Sequence, residues 1–439
     1  MKKYELQNID EPNLMRDTFA YDKIPAFKLG GENVAPRLPK DIWITDTTFR
    51  DGQQSRPPYT VSDIVEIFKF MHRIGGKRGL IRQSEFFLYS PVDRAAVEAC
   101  QELGFEFPQI TAWIRAVKSD FELVKAIGLS ETGILTSCSD YHIFLKLKKN
   151  RRQALDSYKD IVSAALENGI APRCHLEDVT RADIYGFVIP MINELNELCR
   201  GTGKKVKIRL CDTMGYGLPY ATAELPRGIP AMLKAILDNT DTTSDMLEWH
   251  GHNDFHKVLA NAVAAWIYGC SAANGTFLGF GERTGNPPVE GLVFEWMGLT
   301  GIHDGIDTTV ITDMAEFFRD KIRYNIPHNY PFVGADFNTT RAGVHADGLT
   351  KNEEIYNIFD TDKFLKRPCK VAISNTSGLA GIAYWIHANL PGGIDIRKDN
   401  PGIMEIKAWI DREYKNGRTT SISEVEMFNL VREYLPELF

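Results

Sequence analysis

The sequence predicts an α/β chain built on a TIM (β/α)₈ barrel, followed by a smaller, mainly helical C-terminal region. Three observations carry that prediction. Short β-rich runs alternate with longer amphipathic stretches between about residues 41 and 305, the pattern of βα units and a parallel sheet. Eight such runs occur in about 265 residues, the usual size of a closed barrel. Every run ends in polar or ionisable residues, which a barrel would gather on one rim. A doubly wound open sheet is the alternative, and it requires a reversal of strand order.

Residues 1–40 are irregular and rich in Pro, Gly and charge, and read as an extension packed on the barrel. The predicted strands are Asp41–Asp46, Gly79–Glu85, Phe107–Ile114, Thr132–Ser137, Pro172–Glu177, Val206–Cys211, Met246–His250 and Ala273–Leu278. Helical patterns follow them. Val61–Ile74 starts after Thr60, a suitable N-cap, and Val258–Tyr268 ends at Gly269, a suitable C-cap. Barrel residues thus span 41–305. Residues 306–439 form the C-terminal region: one amphipathic helix over Asp307–Arg323, a Gly/His/Asp-rich turn at Arg341–Gly348, and further helical segments.

Composition narrows the function classes. With 44% hydrophobic and 25% charged residues the chain reads as a soluble globular protein. A net charge of -7 argues against a nucleic-acid binder. The seven cysteines are scattered, odd in number and without a CxxC pair, so they read as reduced thiols. No N-terminal apolar leader and no long apolar run appears. A cytoplasmic protein with no membrane partner is expected.

The chemistry is expected where the strands end. The most informative ending is His250-Gly251-His252: residues two apart on a strand point to one face, so two imidazoles would stand side by side inside the barrel. Asp51, after the first strand, would lie near the seventh and eighth strands in a closed barrel. Two histidines and a carboxylate make a metal site with open positions for a chelating substrate. The bland reading is a pair of satisfied core histidines. The Gly-rich segment Gly279–Asn286 reads either as a tight turn or as a ligand cradle built from Gly279, Gly281, Glu282 and Arg283. Its place after the eighth strand favours docking of cofactor phosphates. Glu177 and Asp178 are functional acids or simple N-caps. Lys146–Arg152 is a solvated face or a phosphate-binding run.

Taken together, the segments DTTFRDGQQ (Asp46–Gln54), SDYHIFLKL (Ser139–Leu147), EDVTRAD (Glu177–Asp183), DTMG (Asp212–Gly215), HGHND (His250–Asp254) and GFGERTGN (Gly279–Asn286) resemble the DRE-TIM metallolyase superfamily. The branch is that of isopropylmalate synthases, homocitrate synthases and Re-citrate synthases, with the whole chain most similar to the last. AGVHADG (Ala342–Gly348) extends the resemblance into the C-terminal region.

The resemblance implies a metal-dependent Claisen condensation of acetyl-CoA with a 2-oxo acid. It implies Asp51, His250 and His252 as ligands to a divalent metal, Mn²⁺ first, with Mg²⁺, Co²⁺ or Zn²⁺ as alternatives, and Asn286 close by. Arg50 would stabilise the developing alkoxide, Gln54 and Thr213 would hold the oxo acid, and Glu177 would orient a water or a ligand. His345, with Tyr356, would act as acid/base from the C-terminal region of a partner subunit, so a homodimer is expected. Two departures stand out. Thr340 occupies a position that is usually His in relatives, and Phe255, His256 and Lys257 follow HGHND where small or aliphatic residues are usual. The lyase branch carries a Cys in the glycine loop, and Gly279–Asn286 has none.

A dicarboxylic oxo acid needs a cation in its pocket. Arg82 and Glu85 on the second strand and Arg115 after the third supply candidate substrate-binding groups, and Phe86 and Phe87 would shorten the pocket. Oxaloacetate, giving citrate, fits best. 2-Oxoglutarate (homocitrate synthase) and 2-oxoisovalerate (isopropylmalate synthase) are the alternatives.

Overall fold

The computed structural model describes residues 4–439. The chain divides into two compact units, one running to Asp307 and the other from Thr308 to Phe439. In the first, eight parallel strands close into a barrel in sequence order: β1 (Trp43–Asp46), β2 (Ile81–Phe86), β3 (Gln109–Ile114), β4 (Glu131–Ser137), β5 (Ala171–Glu177), β6 (Lys207–Asp212), β7 (Leu247–Gly251) and β8 (Ala272–Gly275). β1 pairs with both β2 and β8, which closes the barrel and leaves no edge.

Local chemistry explains the boundaries. The helix Val61–Gly75 starts at a capping box in which Thr60 and Asp63 satisfy each other's backbone N–H groups. β8 is shorter than expected because Leu278 adopts a left-handed conformation (φ 56°) and turns the chain out of the sheet. The helix expected over Asp307–Arg323 spans only Val310–Asp320, and Arg323 is left-handed (φ 60°) beyond it.

Alternation along the strands sorts the side chains into two layers. Ile44, Ile134, Cys174, Leu176, Ile208, Leu210 and Trp249 are buried apolar groups. Their strand neighbours Thr45, Arg173, His175, Arg209 and Glu248 are buried and polar. The polar set meets across non-neighbouring strands: Arg173 of β5 and Arg209 of β6 both bond Glu85 of β2. Such contacts can only cross the barrel interior. The interior is therefore a charged network, and the hydrocarbon lies on the strands' other face.

The extension is tied to the barrel through its backbone. Gln7 N donates to Gly186 O, and Arg151 Nη1 to Gln7 O. Arg227 Nη1 donates to Ala26 O, and Arg37 N to Ile267 O. In the second unit, helices Leu379–Asn389, Pro401–Lys415 and Glu424–Tyr434 pack on an apolar core that includes Ile382, Ile386, Ile403, Ile406, Ile410 and Val431. Among the described residues no helix is long and apolar enough to cross a membrane.

Candidate metal centre and its surroundings

β1 ends at Asp46, and the chain folds into one helical turn, Asp51–Gln54, at the barrel mouth. β7 brings in His250, with His252 just beyond its end. Asp51, His250 and His252 are all buried and offer ligand atoms within 4.8 Å of one another. His250 Nε2 lies 3.3 Å and His252 Nε2 3.7 Å from Asp51 Oδ2. The two rings stand nearly perpendicular, 5.2 Å apart.

Burial alone would raise the Asp51 carboxyl, but Arg50, whose Nη1 is 3.8 Å away, and the two histidines hold it well below the usual range. Burial and neighbouring His250 lower His252 to about 4. His252 is thus neutral near pH 7, a metal-binding form, and Arg50 is the cation that keeps Asp51 ionised there.

The donor set fits a divalent ion: two imidazoles and a carboxylate leave open positions. A buried, unpartnered amide oxygen, Asn286 Oδ1, sits on the glycine loop whose Glu282 N–H reaches Asp51 Oδ1 at 3.4 Å.

That loop is folded in on itself. A Cβ on Gly285 (φ 86°) would fall 1.9 Å from Gly279 O, and one on Gly281 would fall 2.0 Å from Asn286 Nδ2. Glycine is required here by the tightness of the turn. Arg283 spends its guanidinium on Asp254 (3.0 Å) and Thr213 O.

The other expected site residues fall in distinct places. Arg50 donates Nε to Glu85 Oε1 at 2.9 Å. Glu85 is not a free substrate-binding group, because Arg209, Arg50 and Arg173 converge on it; they outweigh the effect of burial and lower its pKa. Arg82 does not reach the rim. It is the second residue of β2, at the opposite end of the barrel, paired with Asp41 at 2.9 Å and stacked 4.5 Å over Trp43. The expectation failed because strand position, not charge, decides which end a side chain serves. Arg115 is at the rim, held in two bonds by Asp120. Gln54 is exposed at the mouth. Thr213 Oγ1 accepts from Asp178 N at 2.8 Å.

Glu177 accepts from Lys146 and Ser137 and lies 3.0 Å from His142 Nδ1. Burial raises its pKa, but the His142 hydrogen bond and these neighbours outweigh that and bring it to about 2. The run Lys146–Arg152 is not a solvated face throughout: Arg151 is buried, bound to Asp140 and Asp183. In the second unit His345 packs against Tyr356, ring centroids 4.4 Å apart.

Sequence reasoning missed Arg173, Arg209 and Glu248, which lie inside predicted strands. It also missed Asn274, whose Oδ1 is 2.7 Å from His250 Nδ1. Arg173, Arg209 and Glu248 left a signal as charged residues within otherwise largely apolar strands, whereas the neutral Asn274 left none.

A parallel eight-stranded barrel with an Asp–His–His cluster and an adjacent arginine at its mouth defines a TIM-barrel protein with a candidate divalent-metal centre. The chain belongs to the HMGL-like family, whose model matches residues 41–318, in agreement with the DRE-TIM resemblance. It is 58% identical over 439 residues to the citrate (Re)-synthase of Syntrophus aciditrophicus, covering 100% of this chain and 70% of that protein. It is 49% identical over 437 residues to the citrate (Re)-synthase of Clostridium kluyveri, covering 99% and 96%. A 2-phosphinomethylmalate synthase from Streptomyces hygroscopicus is 36% identical, covering 98% of each chain. Among solved structures, the hydroxymethylglutaryl-CoA lyase of Pseudomonas aeruginosa superposes with a TM-score of 0.52 at 18% identity, covering 66% of this chain and 95% of that one. That likeness speaks to the fold alone.

Proposed function

We propose that the chain is an acyltransferase that condenses acetyl-CoA with oxaloacetate to give citrate. The observation that carries this reading is Arg50 beside the Asp51–His250–His252 cluster, in a chain 58% identical to a protein named citrate (Re)-synthase. Asp51, His250 and His252 would hold a divalent metal, Mn²⁺ by preference, with Asn286 beside it. When bound, the metal supplies Lewis-acid polarisation of the ketone.

The remaining work falls to side chains. Arg50 has its Nε committed to Glu85, which aims the outer guanidinium nitrogens at the mouth, where they stabilise the alkoxide charge as the new C–C bond forms. Thr213 accepts at its oxygen from Asp178 N and makes a long contact from its hydroxyl to Cys211 O at 3.5 Å, which it would give up to donate to the oxo acid. Gln54 adds a second hydrogen bond, and Arg115 is the rim cation for the distal carboxylate. Glu177, ionised and held by Lys146, orients water for thioester hydrolysis, which makes the condensation irreversible. Gly279, Gly281, Glu282 and Arg283 border the route for the acyl-CoA. His345, with Tyr356, takes the methyl proton of acetyl-CoA as base, delivered from a partner subunit of a homodimer. Seven buried, unbonded cysteines accord with a cytoplasmic setting.

The test is thiol release from acetyl-CoA with added Mn²⁺, offering oxaloacetate, 2-oxoglutarate, 2-oxoisovalerate and pyruvate separately. Turnover with oxaloacetate alone is expected. Preference for another oxo acid would remove the citrate reading and leave the family and the candidate metal centre standing. Mixing His345→Ala with His250→Ala chains tests the dimer: activity restored on mixing is expected, and none if each barrel is served by its own chain.

A further inference from the structure

His250 can ligate a metal through Nε2 only if its proton sits on Nδ1. The barrel interior contains a directional hydrogen-bond chain that imposes this. Glu248 lies two residues before His250 on β7 and is buried. Arg209 grips it from Nε (2.8 Å) and Nη2 (3.0 Å). Glu248 is therefore an ionised carboxylate that can only accept.

Thr45 Oγ1 donates to Glu248 Oε1. A hydroxyl has one proton, so Thr45 Oγ1 must accept from its other neighbour, Asn274 Nδ2, 3.0 Å away. The backbone carbonyl of Thr45, also acceptor-only, lies 3.3 Å from the same Nδ2. Both contacts fix the amide one way round. Asn274 Oδ1 therefore faces His250 Nδ1 at 2.7 Å, and an amide oxygen there demands an N–H. The nitrogen that remains for a metal, Nε2, faces Asp51. All five residues are buried, so no solvent competes for the orientation.

We propose that Asn274 is a positioning residue that sets the metal-binding tautomer of His250, and that Glu248 acting through Thr45 sets Asn274. The proposal rests on the metal-centre reading above and deepens it, by assigning a role to residues that touch neither metal nor substrate.

Three variants of the full-length chain test it: Asn274→Ala, Thr45→Val and Thr45→Ser. Mn²⁺ affinity is measured by calorimetry and thermal stability on metal-free protein. The ¹⁵N shifts of labelled histidine are read without metal, with His250→Ala identifying the His250 signal. Asn274→Ala is expected to lose about 10–100-fold in Mn²⁺ affinity and to show His250 as mixed tautomers. Thr45→Val, which keeps shape and removes the hydroxyl, is expected to lose affinity in the same direction, and Thr45→Ser to match the unsubstituted chain.

If Asn274→Ala lowers only the melting temperature, with affinity and tautomer intact, the residue is merely structural and the proposal falls. If Thr45→Val and Thr45→Ser behave alike, Glu248 and Thr45 drop out and the proposal falls as stated. If the unsubstituted chain binds no Mn²⁺, the metal reading fails instead, and the ¹⁵N shifts still report whether Asn274 governs the tautomer.

Discussion

The barrel interior and the core of the C-terminal unit solve the burial problem in opposite ways. The C-terminal unit buries branched hydrocarbon, including Ile382, Ile386, Ile403, Ile406 and Ile410. The barrel interior buries Glu85, Arg173, Arg209 and Glu248, each at most 4% exposed. Apolar burial is tolerant of direction, and its stabilisation scales with area. A buried ionic network is directional, and it gains little unless every partner is present. The barrel can accept that because its hydrocarbon layer lies outside, between strands and helices. The interior is then free to position groups at the mouth.

This contrast can be broken at several points, from the largest effect down. His250→Ala or His252→Ala is expected to abolish detectable Mn²⁺ binding and to cut turnover by about a thousandfold or more, the loss of several kcal/mol of Lewis-acid stabilisation. Full activity in either variant would remove the metal assignment. Arg209→Met should destabilise the barrel by about 3–5 kcal/mol, because Glu248 loses its main counter-ion inside the protein. Adding Glu248→Leu should recover much of that stability and leave Mn²⁺ affinity low. Denaturant melts and calorimetry on the pair would separate the two roles.

In the other unit Ile406→Ala should cost about 2–5 kcal/mol through a cavity. Mn²⁺ affinity should not change, since all three ligands lie in the barrel. A smaller effect is expected from Glu290, buried with its Oε2 accepting from Leu278 N. Burial raises its pKa from 4.5 to about 7. A carboxyl raised in the folded state favours folding at low pH and loses that advantage as pH rises from about 4.5 through 7. Glu290→Gln should therefore flatten the fall in stability between about pH 4.5 and 7, by up to about 3 kcal/mol, in melts taken from about pH 4 to 8. Smallest is Arg82→Leu. Placed at the far end of the barrel, it should leave KM for the oxo acid unchanged, whereas Arg115→Leu should raise it.

Much of this was legible along the chain because it is local. Strand alternation, the capping box at Thr60, and the spacing of His250 and His252 are set by neighbours within a few residues. The family motifs carried Asp51 and Arg50 with them. The eight-strand rhythm, the strand ends that bear chemistry and the two imidazoles that face inward together are all properties of short stretches of chain. Tertiary structure alone decided which charges meet. Arg82 and Glu85 stand three residues apart on β2, yet one pairs with Asp41 below the barrel and the other receives three arginines inside it. Asn274 looks like any polar residue in a short strand until closure of β8 onto β1 places its amide between Thr45 and His250. The reason is physical: covalent neighbours fix a side chain's face, but its partners come from other strands, 24 residues away for His250 and Asn274 and 229 for Thr45 and Asn274, chosen by the register in which the barrel closes.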